Sequence, residues 1–162
     1  MSTPLEALRK TDGSCKHVIA LRVIAGAPLL FFGVMHLIGA MPMRPLVEAA
    51  GMPAPGLMAV LAPLGQVLAG VLLLSGAFAR VGALVAIGTM AGAVITHIRI
   101  PNDQWPVATT DAAEGPWPEP VFMMFLAIGI IVIGAYILWR GSGAFGLDAK
   151  SSSEAPAAPQ PA

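Results

Sequence analysis

The stretch GLMAVLAPLGQVLAGVLLLSGAFARVGALVAIGTMAGAVITHI, residues 56–98, holds a single charged side chain, Arg80. Crossing a hydrocarbon core of about 30 Å takes roughly 20 predominantly apolar residues of helix, at about 1.5 Å of rise each. This stretch is long enough to cross twice, and Ala79 with Arg80 falls where the chain would have to reverse. Residues 56–78 and 81–98 therefore read as two membrane-crossing helices. The link between them is so short that they must be antiparallel neighbours. Working outward, residues 17–40 and 121–139 meet the same criterion, and each is bounded by charges, glycine or proline. Backbone amides in lipid must be bonded within their own segment, so these stretches are expected as helices rather than strands of an open sheet.

The expected fold is all-α, an integral membrane bundle of four transmembrane helices running up-down-up-down through residues 17–148. A polar leader, residues 1–16, precedes it, and a tail over residues 149–162 follows. The end of that tail, SSSEAPAAPQPA, is expected to be disordered because it has too little apolar side chain to bury. The first span is longer than a secretory apolar core, carries Arg22 and Pro28, and precedes three more spans, so it is expected to be retained.

Composition agrees with a protein dissolved in lipid. Of 162 residues 56% are apolar and 11% charged, whereas soluble domains carry about a quarter charged residues. Nine basic residues cancel nine acidic ones, which argues against a nucleic-acid partner, since that needs a one-signed basic face. The single cysteine, Cys15, excludes an internal disulfide, a CxxC redox centre and a multi-cysteine zinc site. No Gly-rich phosphate loop, Ser-His-Asp arrangement or HExxH is present, and the soluble segments are too small for an independent catalytic domain. Any enzymatic role must be intramembrane or exercised in an assembly.

Lysine and arginine set the expected orientation. Arg9, Lys10, Lys16, Arg80, Arg140 and Lys150 lie on one side, against Arg44 and Arg99 on the other. The richer side is read as cytoplasmic, with both termini there. The link between the third and fourth spans, with Asp103, Asp111, Glu114 and Glu119, then forms an acidic outer loop. Trp105 and Trp117 suit the outer interface, and Tyr136 and Trp139 the inner one.

Polar groups are costly within a bilayer, which singles out Arg22, His36, Gln66 and His97. Arg22, Gly26, Leu29, Gly33, His36 and Ala40 recur at steps of three and four and share one face of the first helix. That face is expected against the other helices. Gly88 and Gly92 form a GxxxG on the third helix, read as helix packing within one chain or as a homo-oligomer contact. His36 and His97 each lie near the outer end of a helix that runs outward. Together they can ligate haem iron or hydrogen-bond a quinone, and separately each can be a satisfied helix-end side chain. Met35, Met41, Met43 and Met52 crowd the same end and read as packing rather than as a Cu(I) site. No resident metal is assigned. Gln66 falls near mid-membrane and reads as inter-helix glue or as the lining of a solute path. Arg22 is expected to snorkel to the inner headgroups. With no Asp or Glu in the four spans, a carboxylate proton relay is disfavoured.

Several segments together resemble the DoxX-like family of small bacterial membrane proteins, over approximately residues 18–150. They are Arg22 with Gly33 and His36, the block from Gly51 to Leu84, THIRIPN from Thr96, GPWPEP from Gly115, and GSGAFGLD ending at Asp148. The resemblance implies a four-helix protein of the bacterial cytoplasmic (inner) membrane. Some relatives are associated with thiosulfate:quinone oxidoreduction or with membrane complexes handling thiol and superoxide stress. It also implies that the outer polar end, with His36, His97, Trp105 and Glu119, is a quinone or haem pocket. Many similar chains place a glutamate where this one has Gln66.

Three functional expectations follow. One is a membrane subunit of a redox system that binds quinone or haem near the outer leaflet through His36 and His97, with Arg22 holding an inner polar end, served by a membrane or soluble redox partner. Another is a scaffold or assembly factor without chemistry. The third is a small-solute carrier with a hydrated path around Gln66.

Overall fold

The computed structural model describes residues 15–101, 105, 120–143 and 146–148. Four long helices form the bundle: α1 (Val18–Leu37), α3 (Pro55–Ser75), α4 (Ala79–Arg99) and α5 (Pro120–Arg140). A short helix, α2 (Arg44–Ala49), lies between α1 and α3. All four long helices have the length and apolar composition to cross a membrane, and no strand occurs among the described residues. The expected all-α membrane bundle is the observed one. Side chains such as Val23, Phe31, Val60, Leu68, Phe125 and Val132 point outward, as they must if lipid is the solvent.

The spans lie within three residues of expectation at every end, the largest departures being the early ends of α1 and α3. Apolar composition continues to Ala40, but the helix stops at Leu37 because Gly39 takes a left-handed conformation, φ 77°. The chain then folds back, and the Met41 amide donates to the Met35 carbonyl at 3.1 Å.

α1 packs chiefly on α3 and α4 chiefly on α5, while α3 and α4 join the two pairs. The α1–α3 approach is close because both faces are small: a Cβ placed on Gly33 would meet the Val67 amide at 2.9 Å, and one on Gly70 the Leu30 amide at 2.8 Å. Arg22, Gly26, Leu29 and Gly33 are buried along this contact. The face expected on the first helix thus turns inward from Arg22 to Gly33, whereas Ala40 lies beyond the helix and is exposed. Among the described residues Gly88 and Gly92 do not pack against another helix, since a Cβ on either would meet nothing within 4 Å.

The two ends of the bundle differ. Cys15 and Asp148, the outermost described residues, lie at one end, here the terminal end. There Val18, Leu73, Ala79, Ala83 and Ile137 are fully enclosed. At the opposite end α2 and the segments around it form a lid, in which Leu46, Ala50, Ile100 and Trp105 pack together with Met43 and Met52. Arg44 and Glu48 pair on its exposed side at 2.7 Å. Between lid and solid core the bundle is hollow.

The terminal end is held by two charged side chains. The last four carbonyls of a helix lack partners within it. Arg22, 2% exposed, supplies donors to two of them, Leu73 O at 2.7 Å from Nε and Leu74 O at 2.8 Å from Nη2. Its Nη1 donates to Ser142 O at 3.1 Å. Snorkelling is therefore corrected: the guanidinium is buried and bonded to three carbonyls inside the bundle instead of reaching the headgroups. Asp148 does the reverse at the start of α4, accepting from the amides of Phe78 at 2.9 Å and Ala79 at 3.1 Å. Its charge complements the positive end of the helix dipole. Its own amide donates to Gly76 O at 3.1 Å. Gly76 is required twice over, for φ 66° and because a Cβ would lie 2.5 Å from the Arg22 Nη2 atom.

Candidate functional site: a chamber beneath the lid

The hollow half of the bundle holds a partly open cavity of about 700 Å³. Residues 28–36 of α1, 58–66 of α3, 88–97 of α4 and 120–130 of α5 contribute its walls, and Met43, Leu46, Val47, Met52 and Trp105 its roof. Much of the wall is thioether, from Met43, Met52, Met58, Met90 and Met123. Gly88 and Gly92 line it, so the GxxxG widens the chamber instead of joining helices within the chain.

Polar groups reach it from three helices and the roof. His36 Nδ1 donates to Met41 O at 2.5 Å, and His97 Nδ1 donates to Ala93 O at 2.7 Å. A carbonyl can only accept, so each neutral imidazole carries its proton on Nδ1 and keeps Nε2 as the acceptor. The His97 ring lies against Trp105, with centroids 4.7 Å apart and planes inclined at 36°. The hydroxyls of Thr89 and Thr96 donate back into their own helix, to Val85 O and Gly92 O, both at 3.0 Å. Gln66, 5% exposed, has an enclosed Oε1 with no hydrogen-bond partner among the described residues. Among the described residues no charged side chain lines the chamber, and no group of three or more His, Cys, Asp or Glu is arranged to hold a metal ion.

Of the residues singled out from sequence, His36, His97, Gln66 and Trp105 line one cavity. Arg22 does not; it belongs to the terminal-end clasp. Glu119 and Trp117 lie outside the described residues. Trp105 is 8% exposed and roofs the chamber. At the other end Tyr136 bonds His17 Nε2 at 2.6 Å and meets Trp139 edge to face, and Trp139 is exposed beneath the Arg140 guanidinium. The lid methionines and Asp148 were not read as site or clasp from sequence. For Asp148 a signal existed, since the terminal GSGAFGLD motif ends on it.

The fold and this geometry define a small helical membrane protein with a largely apolar chamber in one half. The DoxX family model matches residues 17–99, just over half of the chain, and the protein belongs to the DoxX family. The match covers α1 to α4; α5 and the GSGAFGLD segment lie beyond it. No curated protein and no solved structure shows significant similarity to the chain.

Proposed function

We propose that this protein is a membrane subunit of a redox system that holds a quinone headgroup in the chamber beneath the lid. The observation that carries the reading is a cavity of about 700 Å³ whose walls are apolar except for a few convergent polar groups, His36, Gln66 and His97. Such a volume and lining are typical of pockets for small amphiphiles, about 300–1,000 Å³. A quinone, when bound, supplies two-electron chemistry coupled to protons. The chain's own contribution is to bind and orient the ring and to exclude water. Backbone carbonyls fix the His36 and His97 rings through Nδ1, and the His97 ring lies against Trp105. Electrons would come from a membrane or soluble partner. The distribution of lysine and arginine supports the lid end facing outward from the bacterial cytoplasmic membrane, with both termini in the cytoplasm. Glu119 is a further candidate contact on the outer loop.

Haem is the second reading, and one observation favours it: an imidazole whose Nδ1–H is held by a backbone carbonyl is prepared to ligate a metal through Nε2. One experiment separates the readings. Protein purified in mild detergent is examined by absorption spectroscopy and its extracted lipids are analysed for quinone. Co-purifying quinone that is lost in His36→Ala and His97→Ala supports the proposal, and a haem spectrum lost in the same variants replaces it with the second reading. Colourless protein that neither contains nor takes up quinone overturns both and leaves the scaffold role.

A further inference from the structure

Gln66 is the one side chain lining the chamber that carries an enclosed polar atom without a partner among the described residues. Leaving an amide oxygen so placed is costly, and its neighbours offer no remedy. Gly33 packs against its Cβ from α1, where an added Cβ would sit 3.0 Å away. On α4 the Thr89 hydroxyl has committed its proton to Val85 O and Ala86 O, at 3.0 and 3.1 Å. Gln66 itself lines the chamber, and a turn of its amide is what would bring the enclosed oxygen to that side.

Register fixes the depth. Gln66 is level with Gly33 on α1, and His36 lies one turn further toward the lid, about 4.5 Å along the helix at about 1.5 Å per residue. Gly65 is level with Thr89 on α4, and His97 lies eight residues beyond, about 12 Å closer to the roof. The polar groups therefore form two levels, a deep one of Gln66 with His36 and a mouth of His97 with Trp105.

Resting on the quinone reading above, we infer that Gln66 is the specificity-determining anchor of the site, bonding one ring oxygen of the ligand at the deep level. A carboxamide both donates and accepts. By turning about its last bond it meets the carbonyl of a quinone or the hydroxyl of the corresponding quinol. It holds both forms without gaining or losing a proton, which a carboxylate at the same position could not do. The ligand class is thus a neutral ring with oxygens at opposite ends, entering oxygen first and held in either oxidation state.

The test is equilibrium binding of a decyl-tailed benzoquinone and of its quinol to the full chain in detergent, together with thermal unfolding of the ligand-free protein. Gln66→Leu, with Gln66→Met as an unbranched alternative, is expected to weaken both forms about tenfold, equivalent to about 1.4 kcal/mol. The ligand-free variants should unfold at the same temperature as the parent or higher, because the unpaired amide is gone. Unaltered affinity in these variants sinks the inference while leaving the quinone reading intact. A marked fall in unfolding temperature in both also sinks it, because the amide would then be glue between helices. A parent protein that binds neither probe removes the quinone reading and this inference with it.

Discussion

Arg22 and Asp148 grip one reversal of the chain from its two sides: the guanidinium takes the closing carbonyls of α3, and the carboxylate takes the opening amides of α4. The two are close enough for their opposite charges to attract. A membrane helix has no water to satisfy its ends when they are enclosed, so the clasp does what solvent does elsewhere.

Losing either jaw should therefore cost stability rather than ligand binding. Asp148→Ala is expected to destabilise by about 1–2 kcal/mol, the loss of a helix cap. Arg22→Met should cost roughly 3 kcal/mol, because three buried carbonyls lose charged donors. Thermal unfolding in detergent measures both. The double variant should fall short of the sum, since the two side chains share one turn.

Gly76→Ala should be worse than its size suggests. Left-handed backbone costs about 1–2 kcal/mol for a residue with a Cβ, and the new methyl would strike the Arg22 guanidinium. The expected result is a fall in unfolding temperature at least as large as that of Asp148→Ala.

Gly92→Leu and Gly88→Leu fill open space. The folded chain should tolerate either within about 1 kcal/mol, while uptake of quinone analogues falls sharply because the chamber shrinks. Sedimentation of the same variants tests the homo-oligomer contact proposed for this GxxxG. Intact oligomers with blocked uptake would assign both glycines to the cavity alone.

Orientation is open to a labelling test. Arg44 on the lid is well exposed, whereas the native Cys15 is buried at the other end. In a Cys15→Ser background, Arg44→Cys should react with a membrane-impermeant maleimide added to intact cells. Labelling only after the membrane is opened would invert the topology.

Much of the fold was legible because hydropathy and length dominate in lipid: α3, α4 and α5 lie within three residues of their expected bounds at each end. The end of α1 lies three residues early as well, since Ile38 and Ala40 are as apolar as the helix, and what stops it is a backbone angle at Gly39. The six residues of α2 are too few to show periodicity. Equal depth was expected for His36 and His97, but the register of α1 and α4 against α3 puts His36 near the Gln66 level and His97 nearer the roof. Arg22 could not be placed by depth, because its partners Leu73, Leu74 and Ser142 are 51, 52 and 120 positions away. Likewise Gly88 and Gly92 announce a place where two backbones can meet, but whether anything fills that space depends on how α4 is rotated.

The thioether walls decide what kind of selectivity the chamber can have. Unbranched and polarisable, Met43, Met52, Met58, Met90 and Met123 can rearrange around rings of differing outline. Substituent pattern and tail length should thus matter little to admission. Guests bearing a full charge meet a lining that, among the described residues, holds no counter-ion, and they should be turned away whatever their shape.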